Sequence, residues 1–183
     1  NSYNTTFSEM SVGCEACHGA GSEHIAWTKN KTNLPHFGFE RDMSKPVTKW
    51  LTKTNSKTLQ PETITSTQQT LVCAQCHSRR VQISNNDHVS SSAFGERHLL
   101  SLINNQHYYP DGQVYDEDYV YGSFLQSKMS KEGVVCSNCH EPHSAKLTLP
   151  KEQVCLQCHQ ADAYDKPEHH QHKMGSEGAQ CVN

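Results

Sequence analysis

Long apolar runs are missing from this sequence. No stretch of eighteen consecutive apolar residues occurs along the 183-residue chain, so the sequence contains no transmembrane helix. Excess basic charge is missing too: the formal net charge is -3 with histidines neutral, which does not favour nucleic acid or an anionic membrane surface as a partner. The chain opens N-S-Y-N-T-T-F-S-E-M, without the charged and apolar regions of a signal peptide.

Apolar side chains are also scarce. They make up 34% of the residues, and the mean hydropathy is -0.77, which is low for a globular protein. A chain of this length normally forms one or two domains, but this composition favours disorder or a thin core. Side chains alone are therefore a poor source of a core here.

Cysteine and histidine, by contrast, follow a regular pattern. Each of four Cys-x-x-Cys pairs is followed directly by a histidine, and the four copies use eight of the nine cysteines. Chance does not place a histidine after every such pair. The copies are Cys14, Cys17 and His18; Cys73, Cys76 and His77; Cys136, Cys139 and His140; and Cys155, Cys158 and His159.

This motif has the spacing that covalent attachment of haem requires. On a short helix, two cysteines three apart lie on one face and form thioether bonds to the haem vinyl groups, while the next histidine reaches the iron from the same side. The sequence predicts four haems c, which would also form the core that the side chains do not supply. The eight motif cysteines are the predicted attachment points, and the predicted proximal ligands are His18, His77, His140 and His159.

Zinc ribbons and disulfide scaffolds are the alternative interpretations. A zinc ribbon repeats Cys-x-x-Cys, but it does not require a histidine after each pair, and four zinc clusters would be crowded in this chain. Disulfide bonds occur in secreted chains, yet cysteines three apart on a helical turn are poorly placed to bridge in pairs to other sites. Haem is therefore the preferred interpretation.

Nine histidines lie outside the motifs, and four irons need four of them as distal ligands. His24, at the start of a predicted helix over 24–29, is favoured as a ligand over a surface role. His98 leads the segment G-E-R-H-L-L-S-L-I, which has the spacing of an amphipathic helix. His143 is too near His140 to bind the same iron, so it would serve a neighbouring haem.

The C-terminal region supplies a histidine cluster. His169, His170 and His172 are candidates for one or two iron positions, and the alternative is a cluster that binds stray metal or nothing. His88 is left open. His107 precedes a strong turn signal, Y-Y-P-D-G, and is expected to be exposed.

The predicted fold class is mainly α with long irregular loops and little β, with haems forming the core. We predict short helices at the motifs, further helices near 96–104, 121–132 and 151–165, and a loop with one short hairpin within 33–70. Residues 1–183 are treated as a single multihaem domain. Within it, residues 1–84 carry one pair of motifs, and residues 85–183 carry the second pair.

The ninth cysteine, Cys181, stands in the final residues G-A-Q-C-V-N. They have the form of a Cys-x-x-Cys-His motif cut after its third residue, which predicts a truncated fifth haem site and a chain that is a piece of a longer protein. The alternative is an oddly paired or free cysteine at a natural terminus.

The motifs resemble those of bacterial multihaem cytochromes c, a broad family that includes tetrahaem electron carriers partnering hydroxylamine oxidoreductase. More closely, several segments resemble the haem region of long multihaem cytochromes that carry tetratricopeptide repeats, although no such repeat lies in this chain. The likeness covers most of the chain except about residues 33–70. The segments are S-E-M-S-V-G-C-E-A-C-H-G-A-G-S-E-H, C-A-Q-C-H-S-R-R, Y-Y-P-D-G-Q-V-Y-D-E-D-Y-V-Y-G-S-F-L-Q-S-K-M and G-S-E-G-A-Q-C.

The resemblance implies bis-histidine iron and an internal piece of a longer protein, with a haem motif missing at each end. It favours as distal ligands His24, His98, His143 and the pair His170 and His172.

Electron transfer is the expected function, because two imidazoles per iron leave no position for a substrate. We therefore expect an electron carrier rather than an enzyme, with redox proteins as partners and with the oligomeric state left open. The alternative is a multihaem reductase or oxidase acting on small nitrogen or sulfur compounds, which needs an open iron. A docking module is a third class. Haem attachment to this motif takes place outside the cytoplasmic membrane, so a periplasmic or extracellular location is expected.

Overall fold

The structure, a computed structural model, describes residues 3–7, 10–84, 94–115 and 119–181. Its helices are short. In chain order they are α1 Cys14–His18, α2 Ser22–Asn30, α3 Gln69–His77, α4 Phe94–Arg97, α5 Tyr121–Gln126, α6 Lys128–Lys131, α7 Cys136–Cys139, α8 Gln153–Leu156, α9 Ala161–Tyr164 and α10 Pro167–His170, with 3-10 turns at Pro35–Gly38 and Glu177–Ala179.

The strands are shorter still and pair only in antiparallel twos within the described residues. Irregular chain predominates over both kinds of element, so the predicted class is confirmed as short helices with long loops and little β. The pairs are β1 Trp50–Leu51 with β2 Gln60–Pro61, β3 Arg80–Gln82 with β4 His98–Leu100, and β5 His140–Glu141 with β6 Lys146–Leu147.

The short helices predicted at the four motifs are confirmed. Three of them, α1, α3 and α7, contain both cysteines of their motif. In the fourth motif α8 ends at Leu156, but the turn continues, since the backbone N–H groups of Cys158 and His159 both donate to the carbonyl of Cys155, at 3.1 and 3.0 Å. One helical turn is the spacing that brings two cysteines three apart to one side.

The helix predicted near 96–104 is wrong. Residues 94–97 are helical, but His98–Leu100 form β4, in which Leu99 lies opposite Val81 of β3. Leu99 and Leu102 are 63% and 82% exposed, so their spacing does not define a buried helical face. Pairing with a strand distant in sequence overrides the local pattern.

The helices predicted near 121–132 and 151–165 are each divided. Ser127 has extended backbone angles, and its hydroxyl caps α6 by accepting from the N–H of Ser130 at 3.1 Å. Between α8 and α9, the N–H of Gln160 donates to the carbonyl of Lys57 at 3.0 Å. The chain there pairs with residues 57–59 instead of continuing a helix.

The hairpin predicted within 33–70 is confirmed as β1 and β2. Lys49 and Glu62 flank the hairpin with an exposed ion pair at 2.8 Å, which adds little stability in water. The rest of that segment is irregular apart from the turn at Pro35–Gly38 and the start of α3 at Gln69.

The chain divides into two compact units. Unit 1 is Asn1–Ser44 with Thr67–Gly122 and contains the first and second motifs, whereas unit 2 is Lys45–Ser66 with Ser123–Asn183 and contains the third and fourth. The organisation predicted from the sequence, a single haem-binding domain whose motif pairs lie in 1–84 and 85–183, stays a prediction.

Each unit has only a small core of buried side chains. In unit 1, Ala74 of the second motif packs with Phe94 and Tyr121, and Leu71 and Leu100 cover this cluster. In unit 2 the buried apolar side chains are Val47, Val135 and Val154. Val135 and Val154 each directly precede the first cysteine of a motif, so the core of unit 2 lies against both attachment sites.

Candidate haem-attachment sites

The first motif is enclosed from one side by residues 39–41. The ring of Phe39 lies 4.7 Å from that of His18, between centroids. The N–H of Arg41 donates to the carbonyl of His18 at 3.1 Å, and its guanidinium donates to the carbonyls of Ala16 at 2.9 Å and Cys17 at 3.3 Å. These contacts hold the end of α1 in place.

His24 is oriented by the same stretch of chain. Its Nδ1 lies 2.8 Å from the carbonyl oxygen of Phe37, and its ring stacks on Phe39 at 3.9 Å. Because a carbonyl only accepts, Nδ1 carries the proton, and the lone pair of neutral His24 is on Nε2. Histidine ligands of metals are oriented in the same way, by a hydrogen bond from the nitrogen that does not bind the metal.

Gly38 permits this arrangement. Its φ is +83°, and a Cβ there would lie 2.8 Å from the backbone of Glu23 and His24. Only glycine fits both the left-handed angle and the close approach. The residue therefore brings the carbonyl of Phe37 within reach of His24.

The second motif is fixed through its backbone. Ser78 donates from Oγ to the carbonyl of Ala74 at 2.6 Å, and Arg80 donates from Nε to the carbonyl of Gln75 at 2.6 Å. Arg79 places its guanidinium 5.0 Å from the ring of Tyr119. A cleft beside this motif is lined by Cys76, Ser78, Arg79, Arg80 and Tyr119.

Cysteines of the first two motifs interact within unit 1. Burial raises the pKa of Cys17, the thiol of Cys76 raises it further, and Arg41 lowers it. Two thiols affect one another in this way only at short range. The first and second motifs therefore lie close together although residues 19–72 separate them.

His98 is buried in unit 1, with 5% of its surface exposed. Its ring lies 5.0 Å from that of Phe94, and its Nδ1 has no hydrogen-bond partner among the described residues. Burial lowers the pKa of His98, and the charges of Arg80 and Arg97 lower it further. A neutral imidazole is the form that binds iron.

In unit 2 the third motif is tied to the fourth. Gln157 donates from Nε2 to the carbonyl of Asn138 at 3.0 Å, and Thr148 donates to the same carbonyl from its hydroxyl at 3.3 Å. The side chain of Asn138 accepts from the N–H of Val135 at 2.8 Å. Residues between the cysteines of the two motifs are thus in direct contact.

The thiols of unit 2 are also close. Burial raises the pKa values of Cys139, Cys155 and Cys158, and Cys139 contributes to the shift at both of the other two. Cys181 lies close enough to Cys155 to raise its pKa as well. The nine cysteines, all in the described ranges of the chain, form no disulfide bond.

His159 is oriented by a hydroxyl. Its Nδ1 lies 3.2 Å from Oγ1 of Thr58, and the same oxygen lies 2.7 Å from the hydroxyl of Tyr164. The ring of Tyr164 contacts both His159, at 4.8 Å, and His169, at 5.0 Å. Burial lowers the pKa of His159, and His169 lowers it further.

His143 is exposed, and its Nδ1 lies 2.9 Å from Oε1 of Glu141. Hydrogen bonds from Ser144 and His143 lower the pKa of Glu141 to about 2. The carboxylate is ionised and only accepts, so Nδ1 carries a proton, and in the neutral ring the lone pair is on Nε2. His143 therefore has the same tautomer as His24.

His170 differs from both. Its Nδ1 accepts from the backbone N–H of His172 at 3.1 Å, so in the neutral ring the proton is on Nε2, which is buried and has no described partner. The ring of His172 is accommodated by Gly178, where a Cβ would lie 2.7 Å from it. In this orientation His170 does not present a lone pair at Nε2.

Several predicted positions have no specific support. His77 and His140 are exposed, and Cys14 of the first motif is exposed as well. His88 lies outside the described residues. His107 is half-buried rather than exposed, with a buried Nδ1 that lacks a partner among described residues.

Residues 128–164 contain α6, the third and fourth motifs and α9. This segment matches the family model of the doubled CXXCH motif. The doubled motif covers about a fifth of the chain. It supports a chain like the c-type multihaem cytochromes, with covalently bound haem and a function in electron transfer. No curated protein and no solved structure matches the chain significantly.

Within the described residues, His, Cys, Asp and Glu side chains form no group of three placed to hold a metal ion. No helix in the described ranges is long and apolar enough to cross a membrane.

Sequence reasoning missed the residues that orient the motifs. Arg41 and Thr58 contact motif atoms, but neither stands near its motif in sequence, and Phe39 has no distinctive spacing. No local signal identifies them, because each contact is made by the tertiary fold.

Proposed function

We propose that this chain is an electron carrier that binds four c-type haems, two in each unit, with two histidines at each iron. When bound, haem accepts and donates single electrons at its iron. The role of the chain itself is to attach the haems, to supply both imidazoles and to hold neighbouring sites close together. Redox proteins are the proposed partners.

The contact between the third and fourth motifs carries this proposal. The bond from Gln157 to the carbonyl of Asn138 joins residues that lie between the cysteines of two motifs. Haems attached to loops in contact have their edges near one another, which is the arrangement that transfer of electrons between cofactors needs. The interaction of Cys17 with Cys76 supports a second such pair in unit 1.

The tautomers of the candidate distal ligands support closed coordination. His24 and His143 carry a proton on Nδ1, so in the neutral ring the lone pair, the group that binds iron, is on Nε2. His98 is buried and held neutral. For the fourth iron, His169 or His172 suits this orientation better than His170, whose Nδ1 accepts a backbone hydrogen bond.

Exposed apolar side chains also favour bound haem. Ile25, Phe37 and Leu99 are all more than half exposed, and each adjoins a candidate ligand. In water such side chains are normally covered or scattered. An apolar macrocycle at each motif would cover them and enlarge the small core of each unit.

Optical and low-temperature EPR spectra of the oxidised, haem-loaded chain test the function. We expect every haem to be low-spin and its spectrum to be unchanged by cyanide or nitrite, because two imidazoles occupy each iron. A high-spin haem that shifts on addition of either ligand would contradict closed coordination and favour the reductase or oxidase alternative. A properly exported chain without haem absorbance would overturn the whole proposal.

The location follows from the same chemistry. Haem is attached to this motif outside the cytoplasmic membrane, so we propose a periplasmic or extracellular protein. Cell fractionation that finds the haem-loaded chain in the cytoplasm would contradict this.

A further inference from the structure

Arginine side chains contact the attachment loops of both motifs in unit 1. Arg41 donates from Nη1 to the carbonyl of Ala16 at 2.9 Å, and Arg80 donates from Nε to the carbonyl of Gln75 at 2.6 Å. Ala16 and Gln75 occupy the same place in their motifs, immediately before the second cysteine. Each of these two arginines, which lie outside the motifs, thus donates to the equivalent backbone carbonyl of its own motif.

These contacts suit a carbonyl near the end of a helix. The last carbonyls of α1 and α3 carry partial negative charge and lack helical partners. A hydrogen bond from a charged donor is stronger than one between neutral groups, so each arginine fixes the loop that holds its two cysteines. Arg80 also directs Nη2 to the same oxygen as its Nε.

Within the described ranges, no ion pair neutralises the positive charge at these loops. Neither Arg41 nor Arg80 forms one with the described residues, and Arg41 is only 9% exposed. Glu15 and Glu40 lie near the first motif, but both are exposed and accept from the N–H groups of Gly21 and Ala20. Solvent screens exposed carboxylates more strongly than a buried guanidinium.

Among the residues that the structure describes, the third motif has no such charged contact. The corresponding carbonyl, that of Asn138, accepts from the neutral side chains of Gln157 and Thr148. Lys45 is near enough to lower the pKa of Cys139, but Lys45 is exposed. The charged donors at the two loops of unit 1 are thus replaced by neutral donors at the third motif.

We propose that Arg41 and Arg80 are positioning residues that hold the first two attachment loops and raise the reduction potentials of the haems bound there. The proposal rests on the proposed haem attachment. Oxidised haem carries one more positive charge than reduced haem, so a nearby guanidinium disfavours the oxidised state. The effect of Arg41 is the larger, because Arg41 is buried and Arg80 is half-buried.

The test compares Arg41→Gln and Arg80→Gln with the unchanged haem-loaded chain. Haem per chain is measured as the pyridine haemochrome, and the potentials are measured by redox titration of the α-band. We expect both variants to keep the full haem count. In each, the part of the titration curve that belongs to the haem beside the arginine should shift to more negative potential, and the shift should be larger for Arg41→Gln. Lys29→Gln, which removes an exposed charge from the same unit, should leave the curve in place.

Arg41→Lys separates charge from geometry. It keeps the positive charge but not the planar guanidinium, so we expect a curve close to that of the unchanged chain with faster hydrogen exchange at amides 16–19. If Arg41→Gln loses haem, the redox titration of Arg80→Gln tests the proposed effect on the reduction potential instead.

Distinct results contradict the two proposals. Absence of haem from the unchanged chain overturns the proposed function. A full haem count with unshifted curves for both glutamine variants, or an equal shift in Lys29→Gln, overturns only the role of the arginines.

Discussion

The two units organise their motif pairs by different means. In unit 2 residues 141–154 separate the third motif from the fourth, and a glutamine within one motif contacts the backbone of the other directly. In unit 1 residues 19–72 separate the motifs, and each loop is held by an arginine outside its motif, Arg41 from a distant part of the sequence and Arg80 from just after the second motif. The motifs of unit 2 thus contact one another, whereas those of unit 1 are held by neighbouring side chains.

Residues 128–164, which match the doubled motif, lie in unit 2. A segment that carries both motifs and their mutual contact is recognisable as one piece of sequence. The pair in unit 1 is formed by residues from Asn1–Ser44 and Thr67–Gly122, and no continuous segment represents it.

Removal of a cysteine pair should have the largest effect, and the resulting loss of haem should differ between the two units. We expect Cys73→Ala with Cys76→Ala to lower the haem content by about one of the proposed four, since that motif alone loses its attachment points. Cys136→Ala with Cys139→Ala should lower it by more than one, because the fourth motif also depends on the loop at Asn138. Intact-protein mass and the pyridine haemochrome measure the haem content.

Cys181→Ser is the matched control for these variants, and we expect it to retain all the haem. Equal losses from the two double variants would remove the proposed contrast between the units.

Glycine substitutions should have an intermediate effect. Gly38→Ala in unit 1 brings a Cβ within 2.8 Å of backbone atoms at a φ of +83°, so we expect a loss of about 1–3 kcal/mol in the free energy of unfolding. Gly133→Ala in unit 2 has a similar φ, +78°, but meets the side-chain carbons of Val47 and Ile64. Side chains yield more easily than backbone, so its loss should be smaller.

Urea unfolding of the haem-loaded chain measures both losses. Gly175→Ala is the control, because its φ is +80° and nothing lies within 4 Å of the added Cβ. A loss for Gly38→Ala no greater than that for Gly175→Ala would mean that the close approach to His24 is not important.

Thr58→Val should have the smallest effect. It removes the hydroxyl that bonds His159 and Tyr164 with little change in shape, and we expect a loss of about 1 kcal/mol. Tyr164→Phe removes the bond to Thr58 but keeps the ring against His159, so its loss should not exceed that of Thr58→Val. Thermal unfolding of both variants provides the comparison, and a stability of Thr58→Val equal to that of the unchanged chain would contradict it.

The sequence predicted those features that depend on neighbouring residues. The motif helices follow from the spacing of their cysteines, and the helix at His24 and the hairpin in 33–70 were placed correctly. The segment at His98 was wrong because apolar residues at 99, 102 and 103 have helical spacing, while the deciding contact is the pairing of Leu99 with Val81. Ser127 likewise ended a helix whose apolar pattern continues past it.

The sequence predicts the proximal candidate ligands better than the distal ones. The proximal histidines follow from the motif itself, and their assignment stays a prediction that haem-loaded variants can test. The orientation of a distal candidate depends on partners such as Phe37 for His24 or His172 for His170. Such partners are set by the fold of a turn, which local spacing does not encode.

The bond from Gln157 to Asn138 has a consequence for the rate at which electrons would move in unit 2. Tunnelling rates fall exponentially with the gap between donor and acceptor, so thermal changes in that gap spread the rate over a wide range. A side-chain amide that ties the two loops at 3.0 Å restrains this variation. Within the proposed carrier, the bond would therefore limit how far the two attachment loops of unit 2 move apart, and with it the variation of the transfer rate over time.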